Sequence, residues 1–130
     1  MSKSTRAVVA TNTVATVLGG TDQYLNSACC QFTSNATVGN RQIVLQILDS
    51  ASNVMYQFSA GIVQAASLVR IYCFMSGVAR EAAFVNGELN IPIPFDAIVP
   101  QNGSVKVFDS ANVAAGGDTM VVSIASEITR

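Results

Sequence analysis

The stretch Arg41-Gln-Ile-Val-Leu-Gln-Ile-Leu-Asp49 decides the fold class of this chain. Ile43, Leu45 and Ile47 fall on one face of a ribbon with a period of two, while Gln42, Gln46 and the polar ends mark the other, as in a strand with one face on a core. The pattern breaks at Asp49-Ser-Ala-Ser-Asn53, a run of turn formers, and resumes as Val54-Met-Tyr-Gln-Phe58. Together the three pieces predict a hairpin.

Working outward, β-branched residues and alternation predict further strands at about 7–18, 24–33, 67–76, 88–93, 104–109 and 119–128. No segment sustains a helical stripe over ten or more residues. Gly19-Gly20, Val38-Gly39-Asn40, Asn86-Gly87, Asn102-Gly103 and Gly116-Gly117-Asp118 separate the strands with residues that accept positive φ. Pro92, Pro94 and Pro100 make 91–100 an edge strand or a strapping loop, since proline donates nothing to a central ladder. About eight short antiparallel strands with this punctuation predict an all-β, single-domain β-sandwich over residues 1–130, with a jelly roll as the leading topology. Residues 1–6 are left open to forming a flexible N-terminal arm.

Half of the residues are hydrophobic and only 12% are charged, against about 25% in an average globular domain. That excess of apolar surface needs covering. A formal net charge of −1, with seven Lys and Arg scattered along the chain, gathers no phosphates, so no direct nucleic-acid partner is expected. Every apolar run is far shorter than the ~20 residues of a membrane-spanning helix, and neither signal peptide nor anchor is expected. Three cysteines, Cys29, Cys30 and Cys73, form no disulfide framework and fit a reducing compartment. The sequons at Asn35 and Asn102 read as turn chemistry.

Histidine is absent, which removes the usual general base, the Ser-His and Cys-His nucleophile pairs and the commonest transition-metal ligand. No catalytic residue, cofactor or metal ligand is assigned. Asp22, Asp49, Asp96, Asp109 and Asp118 lie at strand ends beside Gly, Ser or Asn, where Asx-type turns account for them better than carboxylate catalysis. Asp109 and Asp118 could approach one another across 110–117, but nothing there has the ordered spacing of a calcium loop. Cys29 and Cys30, adjacent on a strand, point to opposite faces and cannot both hold one ion, so at most one meets Cys73. All three are expected to stay reduced, as small hydrophobes of the core.

The segment Ser67-Leu-Val-Arg-Ile-Tyr-Cys-Phe-Met-Ser76 is apolar on both faces. Val69, Ile71, Cys73 and Met75 supply one face, read as the core face. Leu68, Tyr72 and Phe74 around Arg70 supply the other. That second face is expected to be covered by another chain or by the strap at 91–100, and Leu68, Arg70, Tyr72 and Phe74 are the candidate protein interface.

The run Ala36-Thr-Val-Gly-Asn-Arg41 leading into Ile43, Leu45, Ile47, Asp49 and Asn53-Val54 resembles small virion proteins of tailed bacteriophages. So do Gly87-Glu-Leu-Asn-Ile-Pro-Ile-Pro94, Gly103-Ser-Val-Lys-Val-Phe-Asp109 and Asp118-Thr-Met-Val-Val-Ser-Ile124, which extend the resemblance over most of the chain from about Ala36 onward. Within that group the chain is most similar in size and character to the cement, or decoration, proteins of short-tailed phages. The resemblance implies a jelly-roll-like sandwich bound outside the capsid, made in the host cytoplasm, with the major capsid protein as partner and a homo-oligomer, a dimer before a trimer, as the working form. A head-fibre, collar or tail subunit is the alternative. A carbohydrate-binding jelly roll is a further one, weakened by the absence of Trp, which leaves Tyr24, Tyr56 and Tyr72 as candidate platforms.

Overall fold

The computed structural model describes residues 2–9, as backbone only, and 11–128. Ten strands follow one another: β1 (Ser2–Val9), β2 (Thr13–Val17), β3 (Gln23–Thr33), β4 (Arg41–Leu48), β5 (Val54–Gln64), β6 (Val69–Met75), β7 (Glu88–Pro92), β8 (Ile98–Val99), β9 (Ser104–Asp109) and β10 (Thr119–Glu127). They form two sheets, one ordered β1-β10-β3-β6-β7 with β8 on the start of β3, the other β2-β9-β4-β5. Setting β7 and β8 aside and renumbering the remaining eight, the sheets read 1-8-3-6 and 2-7-4-5, the strand order of a jelly roll.

The predicted hairpin is present as β4 and β5, paired antiparallel from Arg41 opposite Gln64 to Leu48 opposite Val54. Its turn is held by Asp49, whose carboxylate accepts the N–H groups of Ala51 and Asn53. Ile43, Leu45 and Ile47 are fully buried, as their alternation requires. Asn86 and Gly87 both take positive φ, 52° and 79°, and close a two-residue turn in which Val85 and Glu88 exchange backbone hydrogen bonds, as Asn-Gly does in tight hairpins.

Three expectations are corrected. The segment 7–18 is two strands, β1 and β2, that lie in different sheets; just before β2 the Asn12 carbonyl accepts the Asp109 N–H and its N–H donates to the Ala115 carbonyl. Residues 2–6, left open to an arm, are the first part of β1 and pair with β10. The sheet is not wholly antiparallel, because β7 runs parallel to β6. A parallel neighbour needs a crossover, and residues 76–87 provide it. The proline expectation holds, since Pro92 ends β7, an edge strand.

The core lies between the sheets, with Leu25, Phe32, Phe74, Leu89, Ile91 and Met120 fully buried among others. One ion pair crosses it at one end. Arg41 at the start of β4 and Asp118 just before β10 are both inaccessible to solvent, with Nε of Arg41 3.0 Å from Asp118 Oδ2 and Nη2 3.2 Å from Oδ1. Nη1 donates to the Gly39 carbonyl and Nη2 to Asn35 Oδ1, while the Asn35 N–H donates to Asp118 Oδ1. A charge pair can remain buried only when its donors and acceptors are filled in this way, and here the pair ties the two sheets together.

Candidate interaction faces

The four residues of the expected interface separate in the structure. Tyr72 and Phe74 have no exposed surface and stand opposite Cys30 and Ala28 of β3, which are also buried. They belong to the core, and the two faces of β6 are the reverse of the sequence reading. The cause is polar. The Tyr72 hydroxyl donates to Gln64 Oε1 at 2.8 Å, and Gln64 Nε2 donates in turn to the carbonyls of Phe32 and Leu68, so the interior holds a ready partner for a ring with a hydroxyl. With apolar residues on both sides of β6, alternation alone carries no sign.

Arg70 is on the same side but at the rim, half-buried, with its guanidinium 5.4 Å from the centre of the Phe84 ring. Phe84, on the β6–β7 crossover, meets Tyr72 edge to face at 5.4 Å. The crossover therefore roofs this corner of the core, and Arg80 extends it by donating to the carbonyls of Ser59 and Ala60 on β5. Leu68, half-buried, lies in the β5–β6 turn, where its N–H donates to Ser34 Oγ. The strap at 91–100 plays a related part at the opposite end, burying Ile93, Ala97 and Val99 and pairing with β3 through Val99 and Ile98.

The outward face of β6 thus carries Val69, Ile71, Cys73 and Met75, in register with Thr33, Gln31, Cys29 and Ser27 of β3. Beyond β3 lie Thr119, Val121, Ser123 and Ala125 of β10. Among residues 11–128 the charges on this face are Glu88 and Glu127, at its margins, and on β1 the position beside Ser123 is Arg6. The outer face of the second sheet is built the same way. One rung sets Val17, Ser104, Leu48 and Val54 side by side, and the next but one sets Ala15, Lys106, Gln46 and Gln57. Val17, Val54 and Met55 are each more than half exposed, and Lys106 lies over the Phe108 ring at 4.7 Å.

Charge is scarce outside partly because it is used inside. Arg41 and Asp118 form the buried pair, and Asp109, also buried, accepts the N–H groups of Gln42, Ala111 and Val113. Asp109 is the turn residue expected of it, whereas Asp118 is an ion-pair partner. Both carboxylates are committed to protein donors, and among the described residues no group of three or more His, Cys, Asp or Glu could hold a metal ion.

Of the candidate sugar platforms, Tyr72 is in the core, and Tyr56 stacks on Phe58 at 6.1 Å with both rings packed against the core. Tyr24 is half-buried. A depression of about 140 Å³ lies between β4 and β5, lined by Gln42, Ser59, Gly61, Ile62 and Val63, below the ~300 Å³ at which ligand pockets begin. Among the described residues no helix is long and apolar enough to cross a membrane.

No family model matches the sequence, and no curated protein matches it. Among solved structures the chain is similar to one in the structure of infectious bursal disease virus Gx strain, at 9% identity and a TM-score of 0.36, over 99% of this chain and 34% of that one.

Proposed function

We propose that this chain is a structural protein of a virion, and within that class a bacteriophage capsid cement protein that binds the outside of the assembled shell. The observation that carries the reading is that, among residues 11–128, the two outer sheet faces hold few charges, Glu88 and Glu127 on one and Lys106 on the other. Cores of protein interfaces are depleted of charged residues, and the exposed Val17, Val54, Met55 and Val69 add apolar surface to these faces. Two such faces, back to back, suit a subunit that contacts its own copy on one side and the major capsid protein on the other. Binding only to assembled shell stabilises that shell by mass action. A dimer touching two neighbouring capsomers makes its second contact at high effective concentration, which opposes the outward pressure of packaged DNA.

Particles lacking the protein are expected to assemble but to release DNA at a lower temperature, or under milder osmotic shock, than complete ones. DNA accessibility to a fluorescent dye during heating measures this, and equal robustness would favour a head-fibre, collar or tail subunit instead.

The outward residues of β6 give a finer test. Ile71→Asp places a charge on the half-buried outward side of β6, beside Glu88 of β7, without touching the core, at an expected cost of about 1 kcal/mol from lost strand propensity and like-charge pairing. The variant is expected to melt cooperatively like the parent and to lose self-association or shell binding by tenfold or more, read by light scattering and co-sedimentation with particles. Unchanged association would move the interface to the face with Val17, Val54 and Met55.

A further inference from the structure

We propose that Cys29 and Cys73 form a reversible thiol–disulfide site on the outer face of the first sheet, oxidised by low-molecular-weight disulfides, with Cys30 taking no part. The two residues are direct partners across β3 and β6, both are half-exposed, and both are reduced in the structure. Their rung is the kind that a disulfide can bridge. In this register the Ser34 N–H donates to the Leu68 carbonyl and the Ser76 N–H to the Asn26 carbonyl, so the hydrogen-bonded pairs are those with even numbers. Cys29 and Cys73 therefore fall on a non-hydrogen-bonded pair, where opposed Cα atoms are about 4.5 Å apart and side chains are closest. A disulfide needs Cα atoms about 4.4–6.8 Å apart. Cys30, one residue on, points into the core and has no exposed surface.

The chemistry of the pair is unequal. A hydrogen bond from the Cys73 thiol holds Cys29 below the ordinary thiol range, ahead of the opposing effect of burial, and the same bond pushes Cys73 up. Burial pushes Cys30 up as well. The two thiols titrate as a pair, and attack by Cys29 first or by Cys73 first gives the same disulfide. The neighbours of Cys29 across the sheet are Ser123 on β10 and, beside Cys73, Asn90 on β7, while Glu88, two residues along β7, adds a lesser upward push to both thiols. With oxidised glutathione, the Cys29 sulfur attacks one sulfur of the reagent, forming a mixed disulfide and expelling one glutathione thiolate. Cys73 then loses its proton and attacks the Cys29 sulfur, forming the protein disulfide and expelling the second thiolate. Two electrons and two protons leave the cysteine pair, and the reagent ends as two molecules of glutathione.

The experiment treats the folded chain, free of shells and diluted until light scattering shows a monomer, with oxidised glutathione, quenches with an alkylating agent and measures intact and tryptic masses without reduction. The expected result is a monomer lighter by two hydrogen atoms, in which peptides 7–41 and 71–80 are linked and Cys30 becomes alkylated only after unfolding. Its Tm should rise by about 5–10 °C, the scale for closing a loop of this length in a small domain, and return on adding dithiothreitol. Cys30→Ala should cross-link like the parent, while Cys73→Ser should stop at a glutathione adduct on Cys29. A stable adduct on the parent chain, a disulfide-linked dimer, or cross-linking that survives Cys29→Ser would each overturn the assignment.

Discussion

Alanine at position 118 is expected to destabilise the chain by about 3–5 kcal/mol, the cost of leaving one member of a buried ion pair without its partner. Arg41 has no exposed surface, and two of its four hydrogen bonds go to the Asp118 carboxylate. Removing that carboxylate strands a guanidinium charge among the Gly39 carbonyl and the Asn35 amide, which cannot neutralise it, and orphans the Asn35 N–H as well. Domains hold about 5–15 kcal/mol in total, so the loss should lower Tm by about 10 °C or more and move the urea midpoint in proportion. Replacing both partners, as in Arg41→Met with Asp118→Leu, should cost much less, because no charge is left buried. If Asp118→Ala costs under about 1 kcal/mol, the clamp between the sheets is not dry and the two charges are held apart by water.

The second large effect concerns the rings of β6. Changing Tyr72 and Phe74 together to serine removes two fully buried aromatic side chains, each worth about 3–5 kcal/mol in a core. It also leaves Gln64 Oε1 without the donor it has now. The combined loss reaches the whole stability of a typical domain, and the expected outcome is a chain with no cooperative melt by circular dichroism, which aggregates. Tyr72→Phe alone should cost about 1–3 kcal/mol, the penalty for an unsatisfied buried acceptor. A double variant that stays a folded monomer and merely loses association would mean that β6 presents these rings outward and buries Ile71 and Cys73 instead.

What could be read along the chain was what depends on near neighbours. The alternation at 41–48, the Asp49 turn, the Asn86-Gly87 turn and the restriction of Pro92 to an edge all follow from one or two residues of context. The jelly-roll order followed from strand count and turn spacing, with β8 too short to show a period. What could not be read depends on partners distant in sequence. Arg41 looked like the polar end of a strand because its counter-ion is Asp118, and Asp118 looked like a turn residue for the same reason. The inward side of β6 was undecidable without Gln64 beneath Tyr72. Opposite faces for Cys29 and Cys30 leave at most one of them to meet Cys73, but that it is Cys29 is a property of register. The break between β1 and β2 did have a local sign, the polar run Thr11-Asn12-Thr13, which the β-branched residues around it outweighed.

The place of β10 has a consequence for the order of events in folding. Its two neighbours in the first sheet are β1 and β3, with Ser2 opposite Glu127 at one end of the chain's length and Thr33 opposite Thr119 further in. Neither ladder can exist until β10 has left the ribosome, although β3, β4, β5 and β6 can pair and pack before then. Contacts between distant parts of a chain slow folding to the range of about milliseconds to seconds, and unpaired strand edges are open to misassembly while they wait. A nascent chain stopped before Thr119 carries two such edges, on β1 and on β3. Loss of β10 would therefore remove an interior strand of the sheet, with effects quite unlike the trimming of a loop.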